Sequence, residues 1–336
     1  MWFIQLRLGG VSIPVTEKTE KKCRDAAALI KAEYAAGKKT TSRSSLTLKE
    51  ASELFIANRS NSLSPSTKAG YERIKDNRFR SVSNKKLSEI KDWQGVCNAE
   101  AELCAPKTLE NAWMFVKCVL KSQGITPPPV LLPKRAEKDL PWLDPEQTLA
   151  FISAARGRPG ELPGLLALHS LRRSEILGLK WENVDLKSGV LHIKAARVED
   201  RHGKLVYKDV TKSKTSQRTV RISIPNLSHI LEERKATATG EYVIDCKTAH
   251  TMCQQINRIC ASAGLPLVGV HGLRRSFASL CYHLGVPVLE TMRMGGWSDR
   301  EVMFRFYTKL SETDKRNAES KFAVFFRENA NEIANE

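Results

Sequence analysis

The sequence predicts a multidomain protein, mainly α-helical, with a small β-sheet in its last domain. Three observations lead there. The chain has 336 residues, which at roughly 100 to 200 residues per domain suggests two or three domains. Apolar residues recur at helical spacing through most of it, whereas β-branched runs at 189–196 and 218–224 read as strands. A Pro-rich and charged stretch, Gly124-Ile-Thr-Pro-Pro-Pro129 followed by Lys134-Arg-Ala-Glu-Lys138, makes a stiff linker and marks the main boundary. With 41% hydrophobic and 27% charged residues the chain can bury a real core, which excludes a disordered or collagen-like protein.

The expected organisation is a short strand–helix module over 1–40, a helical domain over 41–126, a linker over 127–139 and a mixed α/β domain with a tail helix over 140–336. Trp2, Ile4, Leu6 and Leu8 alternate until Gly9-Gly10, predicting a strand and a turn. Ala26, Ala27, Leu29, Ile30 and Tyr34 give a helix over 20–36 its apolar face, and Gly37-Lys-Lys-Thr40 stops it. So small a piece buries little core alone and must dock on DNA, on the rest of the chain or on a neighbour. Thr47-Leu-Lys-Glu50 has the pattern of a capping box and opens a helix whose apolar side is Leu54, Phe55 and Ile56. Ser64-Pro65-Ser66 opens another over 67–76, and helices are expected over 85–92 and 106–122, the last carrying Trp113, Phe115, Val116 and Leu120. In the last domain Asp144 is placed as N-cap with Pro145 at the first helical position. Helices then continue to Trp181, the two strands flank a polar hairpin, and helices resume from Thr248.

Lys plus Arg number 54 against 37 Asp plus Glu, a surplus of +17 spread along the chain, which points to a polyanion such as nucleic acid. No run of about 18 apolar residues is present to span a membrane, and Met1–Leu8 is too short and too soon charged for a secretory signal. The cysteines at 23, 97, 104, 118, 246, 253, 260 and 281 form no C-x-x-C pair and have no histidines at finger spacing, so they read as buried thiols of a reducing cytoplasm. His250, Cys253 and Cys260 fit helical packing better than a metal site. Neither a metal nor a cofactor is expected, and no phosphate-binding G-x-x-x-x-G-K-[ST] loop occurs.

Three blocks carry chemistry. In His271-Gly-Leu-Arg274, followed 33 residues later by Tyr307, the helical stripe is Leu273, Phe277, Leu280 and Leu284. Arg274 then lies at the stripe's edge, placed for a semi-buried anion site, and Arg275 points away toward solvent or a DNA backbone. The second block, Leu171-Arg172-Arg173-Ser-Glu175, is buried by Ile176, Leu177 and Leu179 and leaves Arg172 at a helix start. The third is the turn Thr211-Lys212-Ser-Lys214-Thr-Ser-Gln-Arg218. It lies in a hairpin, 197–221, that carries eight Lys or Arg against three acids and suits phosphate contact. Arg173, Lys212, Arg218 and Arg275 are the expected DNA-binding residues.

In this order the blocks resemble the tyrosine recombinases of the phage integrase type, strongly over about 142–310 and through 41–126 only by size, charge and position. The resemblance implies a helical core-DNA-binding domain, a mixed α/β catalytic domain, and 1–40 as the remnant of an arm-site-binding module. It places the nucleophile at Tyr307, the phosphate-clamping arginines at Arg172 and Arg274, and the hairpin general acid at Lys214, with Lys212 two residues away as the alternative. His271 and Trp297 of Gly295-Gly-Trp297 complete the set, and Glu175 is the supporting acid. Ser170 stands where many members have Gly, and Trp297 where many have His. The chemistry suits these groups. A phenol oxygen forms a reusable phosphodiester bond, guanidinium forks give bidentate donors to a phosphorane without a metal, and a protonated lysine supplies the leaving 5′ oxygen with a proton.

The function implied by resemblance is that of a site-specific recombinase for integration or excision of a prophage or mobile element. It would act through a 3′-phosphotyrosine as a homotetramer on two double-stranded DNA sites, with accessory DNA-bending or excision factors, in the cytoplasm on the nucleoid. The apolar cluster Phe322, Val324, Phe325 and Phe326 either closes its own domain or docks on a neighbouring protomer. The same residues also serve two alternatives, a DNA-binding regulator or inactive copy, and relaxation of DNA in the manner of a type IB topoisomerase.

Overall fold

In a computed structural model of the chain, the described residues are 1–8, 11–35, 45–136, 139–209, 217–246, 248–307, 316, 319–320, 323–324 and 327, with backbone alone at 11–12, 33–35, 209 and 306–307. They divide into two compact units, Met1–Leu63 with Thr67–Ala136, and Glu137–Glu336 with Ser64–Ser66.

The first unit opens with a hairpin where one strand was expected. Beyond Gly9-Gly10 the alternation continues, so β1 (Trp2–Leu8) pairs antiparallel with β2 (Val11–Glu17), Leu8 opposite Val11. Pro14 is tolerated because both strands of a two-stranded sheet are edges. Helix α1 (Glu20–Ala35) covers one face, where Leu6, Val15, Cys23 and Ala27 are buried together.

Helix α2 (Leu48–Asn58) starts with the expected capping box: the Thr47 hydroxyl accepts from the Glu50 amide, and the Glu50 carboxylate accepts from the Thr47 amide at 2.8 Å. Its buried side is Leu48, Ala51, Phe55 and Ile56, while Leu54, expected there, is exposed. Helix α3 (Pro65–Asn77) follows. The helix expected over 85–92 is absent because its backbone pairs elsewhere: the Leu87 amide donates to the Leu46 carbonyl at 2.9 Å and the Leu48 amide to that of Lys85 at 3.1 Å. Asp92 instead caps α4 (Trp93–Ala101), accepting from the Gly95 amide at 2.8 Å. Helix α5 (Pro106–Ser122) supplies most of the core through Leu109, Trp113, Phe115, Val116 and Leu120.

In the second unit α6 (Pro145–Ala155) is capped by Asp144 as expected, with Gln147 closing a capping box. Helices α7 (Glu161–Leu168) and α8 (Arg173–Gly178) lead into a 3-10 turn at Trp181–Asn183. The run expected as one strand over 189–196 splits at Lys194. Its first part, β4 (Val190–Ile193), is the middle of a sheet between β3 (Val184–Asp185) and β7 (Arg218–Arg221), whereas β5 (Ala195–Glu199) pairs, among the described residues, with β6 (Leu205–Asp209) alone. Helices α9 (Pro225–Ala236), α10 (Ala249–Ser262), α11 (Gly269–His283), α12 (Val288–Gly295) and α13 (Arg300–Tyr307) complete it. The core gathers Phe151, Leu165, Leu171, Ile176, Leu191, Ile256 and Leu273, and a smaller cluster joins Phe277 and Cys281 of α11 to Met303 of α13. The α11 stripe runs through Leu273, Phe277 and Cys281; Leu284 lies past the helix end and is exposed, contrary to expectation.

All eight cysteines are free thiols, four of them buried. No helix among the described residues is long and apolar enough to cross a membrane. Of the C-terminal cluster, Phe322, Phe325 and Phe326 lie outside the described residues, and Val324 is exposed.

Candidate active site

The site is built where two helices end. At the end of α7 the Leu171 amide reaches back to the Leu166 carbonyl at 3.2 Å and the Ser170 amide to that of Ala167 at 2.9 Å. This paired closure requires a left-handed residue, and Ser170 adopts φ 66° where glycine would be at ease. Helix α12 ends in the same way: Gly296, at φ 64°, bonds back to Arg293, and the Trp297 amide donates to the Met292 carbonyl at 3.0 Å. Both ends present carbonyl oxygens with no helical donor, at the negative ends of two helix dipoles. Three guanidinium groups occupy them.

Arg274 of α11 is 6% exposed; its Nη1 donates to the Ser170 carbonyl and its Nη2 to that of Gly295 at 2.7 Å. Its guanidinium lies 4.1 Å over the Trp297 ring, which stacks on Phe277 at 6.2 Å on its way into the core. Arg218, at the start of β7, donates Nε to Met294, Nη2 to Ser170, and both Nη atoms to the Glu175 carboxylate at 2.9 and 3.1 Å. Arg172 is the N-cap of α8: its amide donates to Glu175 at 2.8 Å, its Nη1 to Glu175 at 2.6 Å and its Nη2 to the Gly296 carbonyl at 2.6 Å.

Glu175 is the one carboxylate bonded to these arginines among the described residues. Burial pushes its carboxyl up, but the hydrogen bonds and charge of Arg218, reinforced by Arg172, outweigh burial and hold it at about 2. Burial draws the Arg274 guanidinium down to about 9, with the Arg172 and Arg218 charges adding to this and Glu175 opposing, so it is charged at neutral pH. Three cations against one carboxylate leave a surplus of two positive charges around a buried pocket of carbonyls. An arginine has five N–H donors. Among the described residues Arg218 uses four bonds internally, whereas Arg172 and Arg274 each use two and keep donors for an anion. Arg172, with its side chain 35% exposed, opens the cluster to solvent.

His271 lies in the first turn of α11 with an exposed edge. Burial of its ring, and then the charges of Arg173, Arg274, Arg275 and Arg172, push its imidazole below the ordinary histidine range and favour the neutral form. The backbone of Tyr307 closes α13. The Tyr307 side chain and all of Lys212 and Lys214 lie outside the described residues. Arg173 is exposed at the first position of α8.

Two expectations change. Arg218, read as a DNA contact, has a side chain only 7% exposed and positions Glu175 and Ser170. The signal was in the strand: Arg218 stands two residues from buried Val220 and shares its inward face. Arg275, expected to face solvent or DNA, turns back so that Nε and Nη2 hold the Pro141 carbonyl at 3.2 and 2.8 Å. The carbonyls of Ser170, Gly295 and Gly296 escaped sequence reasoning because backbone groups leave no residue-type signature.

A Cβ on Gly295 would lie 1.8 Å from the Trp297 ring, and one on Gly296 about 3.0 Å from the Arg218 guanidinium. Gly295→Ala is expected to displace Trp297 from between Arg274 and Phe277 and to lower stability by about 1–3 kcal/mol. Urea unfolding followed by tryptophan fluorescence reads both effects; an unchanged midpoint and spectrum would show that the indole is not wedged there.

Among the described residues no group of three or more His, Cys, Asp or Glu could hold a metal ion. The arrangement instead suits a dianionic or monoanionic oxyanion bound by forked donors.

Residues 141–314 match the phage integrase family, and the chain belongs to it. It is 26% identical over 212 residues to the tyrosine recombinase XerC-like protein of Caldanaerobacter subterraneus subsp. tengcongensis, covering 55% of this chain and 54% of the relative. It is 24% identical over 183 residues to the integrase of Salmonella phage P22, covering 53% and 46%. The match to prophage integrase IntF of Escherichia coli K12 is 30% identical over 183 residues, 50% of this chain and 36% of that one. The chain thus spans about half the length, or less, of these curated relatives. Its fold is also that of the Tn1549 transposon integrase in complex with circular intermediate DNA, at TM-score 0.64 and 14% identity over 82% of this chain and all of the other. A lambda integrase tetramer bound to a Holliday junction aligns at TM-score 0.58 and 16% identity over 92% and 94%. The mainly helical fold with a small sheet in the last domain, read from the sequence, is therefore that of a tyrosine recombinase, and the structure adds the two-stranded sheet β1–β2.

Proposed function

We propose that this chain is a site-specific DNA recombinase that cleaves and rejoins strands through a 3′-phosphotyrosine, for integration and excision of a prophage or mobile element. The observation that carries the reading is the buried cluster of Arg172, Arg218 and Arg274 around Glu175, whose surplus positive charge and remaining forked donors suit a phosphodiester entering at Arg172. In the cleavage step the Tyr307 oxygen attacks phosphorus and gives up its proton, with neutral His271 as acceptor. The bond from phosphorus to the 5′ oxygen breaks, and Lys214, or Lys212 beside it, protonates that oxygen. Arg172 and Arg274 hold the nonbridging oxygens, Trp297 donates its indole N–H beside them, and Glu175 with Arg218 fixes the clamp. Rejoining is the reverse attack by a 5′ hydroxyl and needs no nucleotide cofactor.

In this reading residues 41–126 bind core DNA, 140–336 form the catalytic domain with its tail helix, 127–139 link them, and 1–40 derive from an arm-binding module. The assembly is a homotetramer on two duplex sites, assisted by DNA-bending or excision factors and working on the nucleoid in the cytoplasm. Binding is largely electrostatic and falls steeply with salt.

The test compares supercoiled plasmids carrying two copies of the element's junction with plasmids carrying none. Recombinant products only with paired sites support the reading. Relaxation of arbitrary plasmid in place of exchange would make it a topoisomerase, and salt-sensitive binding with no product a DNA-binding regulator.

A further inference from the structure

A buried histidine that the mechanism does not use sits one residue before the left-handed Ser170. His169 is 5% exposed. Its Nδ1 lies 2.8 Å from the Leu165 carbonyl, and its Nε2 accepts from the backbone amides of Ser223 at 2.9 Å and Ile224 at 3.3 Å. A carbonyl can only accept, so Nδ1 carries the proton; two amides can only donate, so Nε2 carries none. The neutral Nδ1–H tautomer alone satisfies all three contacts. Burial pushes the imidazole below the ordinary histidine range, which keeps it in that form, although the Leu165 bond opposes this.

The contacts join two pieces of chain that meet again at the arginine cluster. His169 ends α7, and its neighbour Ser170 offers the carbonyl that both Arg218 and Arg274 take. Ser223 and Ile224 lie just beyond β7, whose first residue is Arg218. One end of the strand is therefore held to the α7 terminus by His169, and the other by Arg218 on Ser170. A shift of Ser223 and Ile224 would carry the strand, and with it the guanidinium that fixes Glu175.

We propose that His169 is a positioning residue for strand transfer, a neutral imidazole that sets the distance between the end of α7 and β7 and thereby the geometry of the Arg218–Glu175–Arg172 clamp. The proposal rests on the recombinase reading for its catalytic readout. Its structural content stands apart from that reading.

The test uses the full chain with His169→Gln, whose amide can donate to Leu165 and accept from Ser223 and Ile224, and His169→Leu, which can do neither. His169→Asn, too short to reach both sides, serves as second disruptive variant should the leucine variant fail to fold. Single-turnover formation of the covalent DNA adduct is measured at saturating DNA, below the unfolding temperature, beside DNA affinity and the NMR signal of the Arg218 Nε–H group. His169→Gln is expected to stay within about threefold of the parent rate. The disruptive variants are expected to lose roughly 10- to 100-fold in rate at nearly unchanged affinity, as a displacement of about 1 Å does, and to shift the Arg218 signal. A glutamine variant as slow as the leucine variant, or disruptive variants with the parent's rate and Arg218 signal, overturn the proposal. If the parent itself forms no adduct, the recombinase reading fails, and the Arg218 signal alone decides the positioning role.

Discussion

Arg274→Lys is expected to slow covalent attachment to DNA by roughly 100- to 1000-fold while DNA affinity changes by only a few-fold, the effect of removing one preorganised donor from a developing oxyanion. The charge survives this substitution, so an ordinary electrostatic contact would be largely preserved. What disappears is the fork. Arg274 reaches the Ser170 and Gly295 carbonyls with its two Nη atoms, lies flat 4.1 Å over Trp297, and still has donors left for a phosphate. A lysine ammonium has three donors on a single atom and no plane to stack, so it cannot span both carbonyls and a phosphate oxygen. The buried Gly295 carbonyl then loses its charged donor and that of Ser170 keeps only Arg218, which lowers stability by about 1–3 kcal/mol. The rates are therefore compared well below the unfolding transition. A variant within tenfold of the parent would mean that Arg274 is a structural cap and not a clamp.

The second large effect falls on stability. Glu175→Ala is expected to destabilise the chain by about 3–5 kcal/mol, the loss seen when a buried ion pair keeps its cation and loses its anion. Arg218 has nowhere to go: its side chain is 7% exposed and bonded at both Nη atoms to Glu175. The same carboxylate sets an acid transition. Its folded pKa of about 2 lies below its ordinary value of 4.5, so the unfolded chain binds the proton first as pH falls. Its contribution is complete above about pH 4.5 and is lost progressively toward pH 2, on the order of 3 kcal/mol in all. Urea unfolding of the parent and of Glu175→Gln, each measured from pH 6 to pH 2, isolates this group from the other acids. The stability difference between them should shrink as pH falls; parallel curves would show that Glu175 is not held ionised by the arginines.

How far the sequence revealed this site depends on the range of the interactions involved. Thr47 with Glu50, and Asp144 with Pro145, announce helix starts within four residues, and both helices begin there. The apolar face of α5 is likewise local: Trp113, Phe115, Val116 and Leu120 were legible on it, while Leu109, Ala112 and Val119 were not named, and the blocks at Arg172 and Arg274, whose guanidinium groups meet at the same helix end, were legible as well. What escaped was decided by partners far along the chain. Residues 85–92 have helical composition, but their amides and carbonyls pair with 46–48. Residues 189–196 form one β-branched run, yet β4 finds β7 and β5 finds β6, so the run breaks between them. Arg218 looks like any basic residue in a basic hairpin until Glu175, 43 positions away, meets it in the core. The Ser170 carbonyl has no signature at all, and the left-handed backbone that turns it toward the arginines, φ 66°, shows only in the structure.

The arginine cluster is proposed to hold a phosphodiester for attack by Tyr307. The most direct measurement is covalent trapping: the protein is incubated with nicked fragments of its source DNA, denatured in detergent, and whatever DNA stays attached is sequenced. Adducts through a 3′ phosphate that share one sequence and vanish in Tyr307→Phe are expected, while that variant still binds the fragments. Adducts that persist without the Tyr307 hydroxyl, or none from fragments that span the element's ends and are bound in a salt-sensitive way, would contradict it.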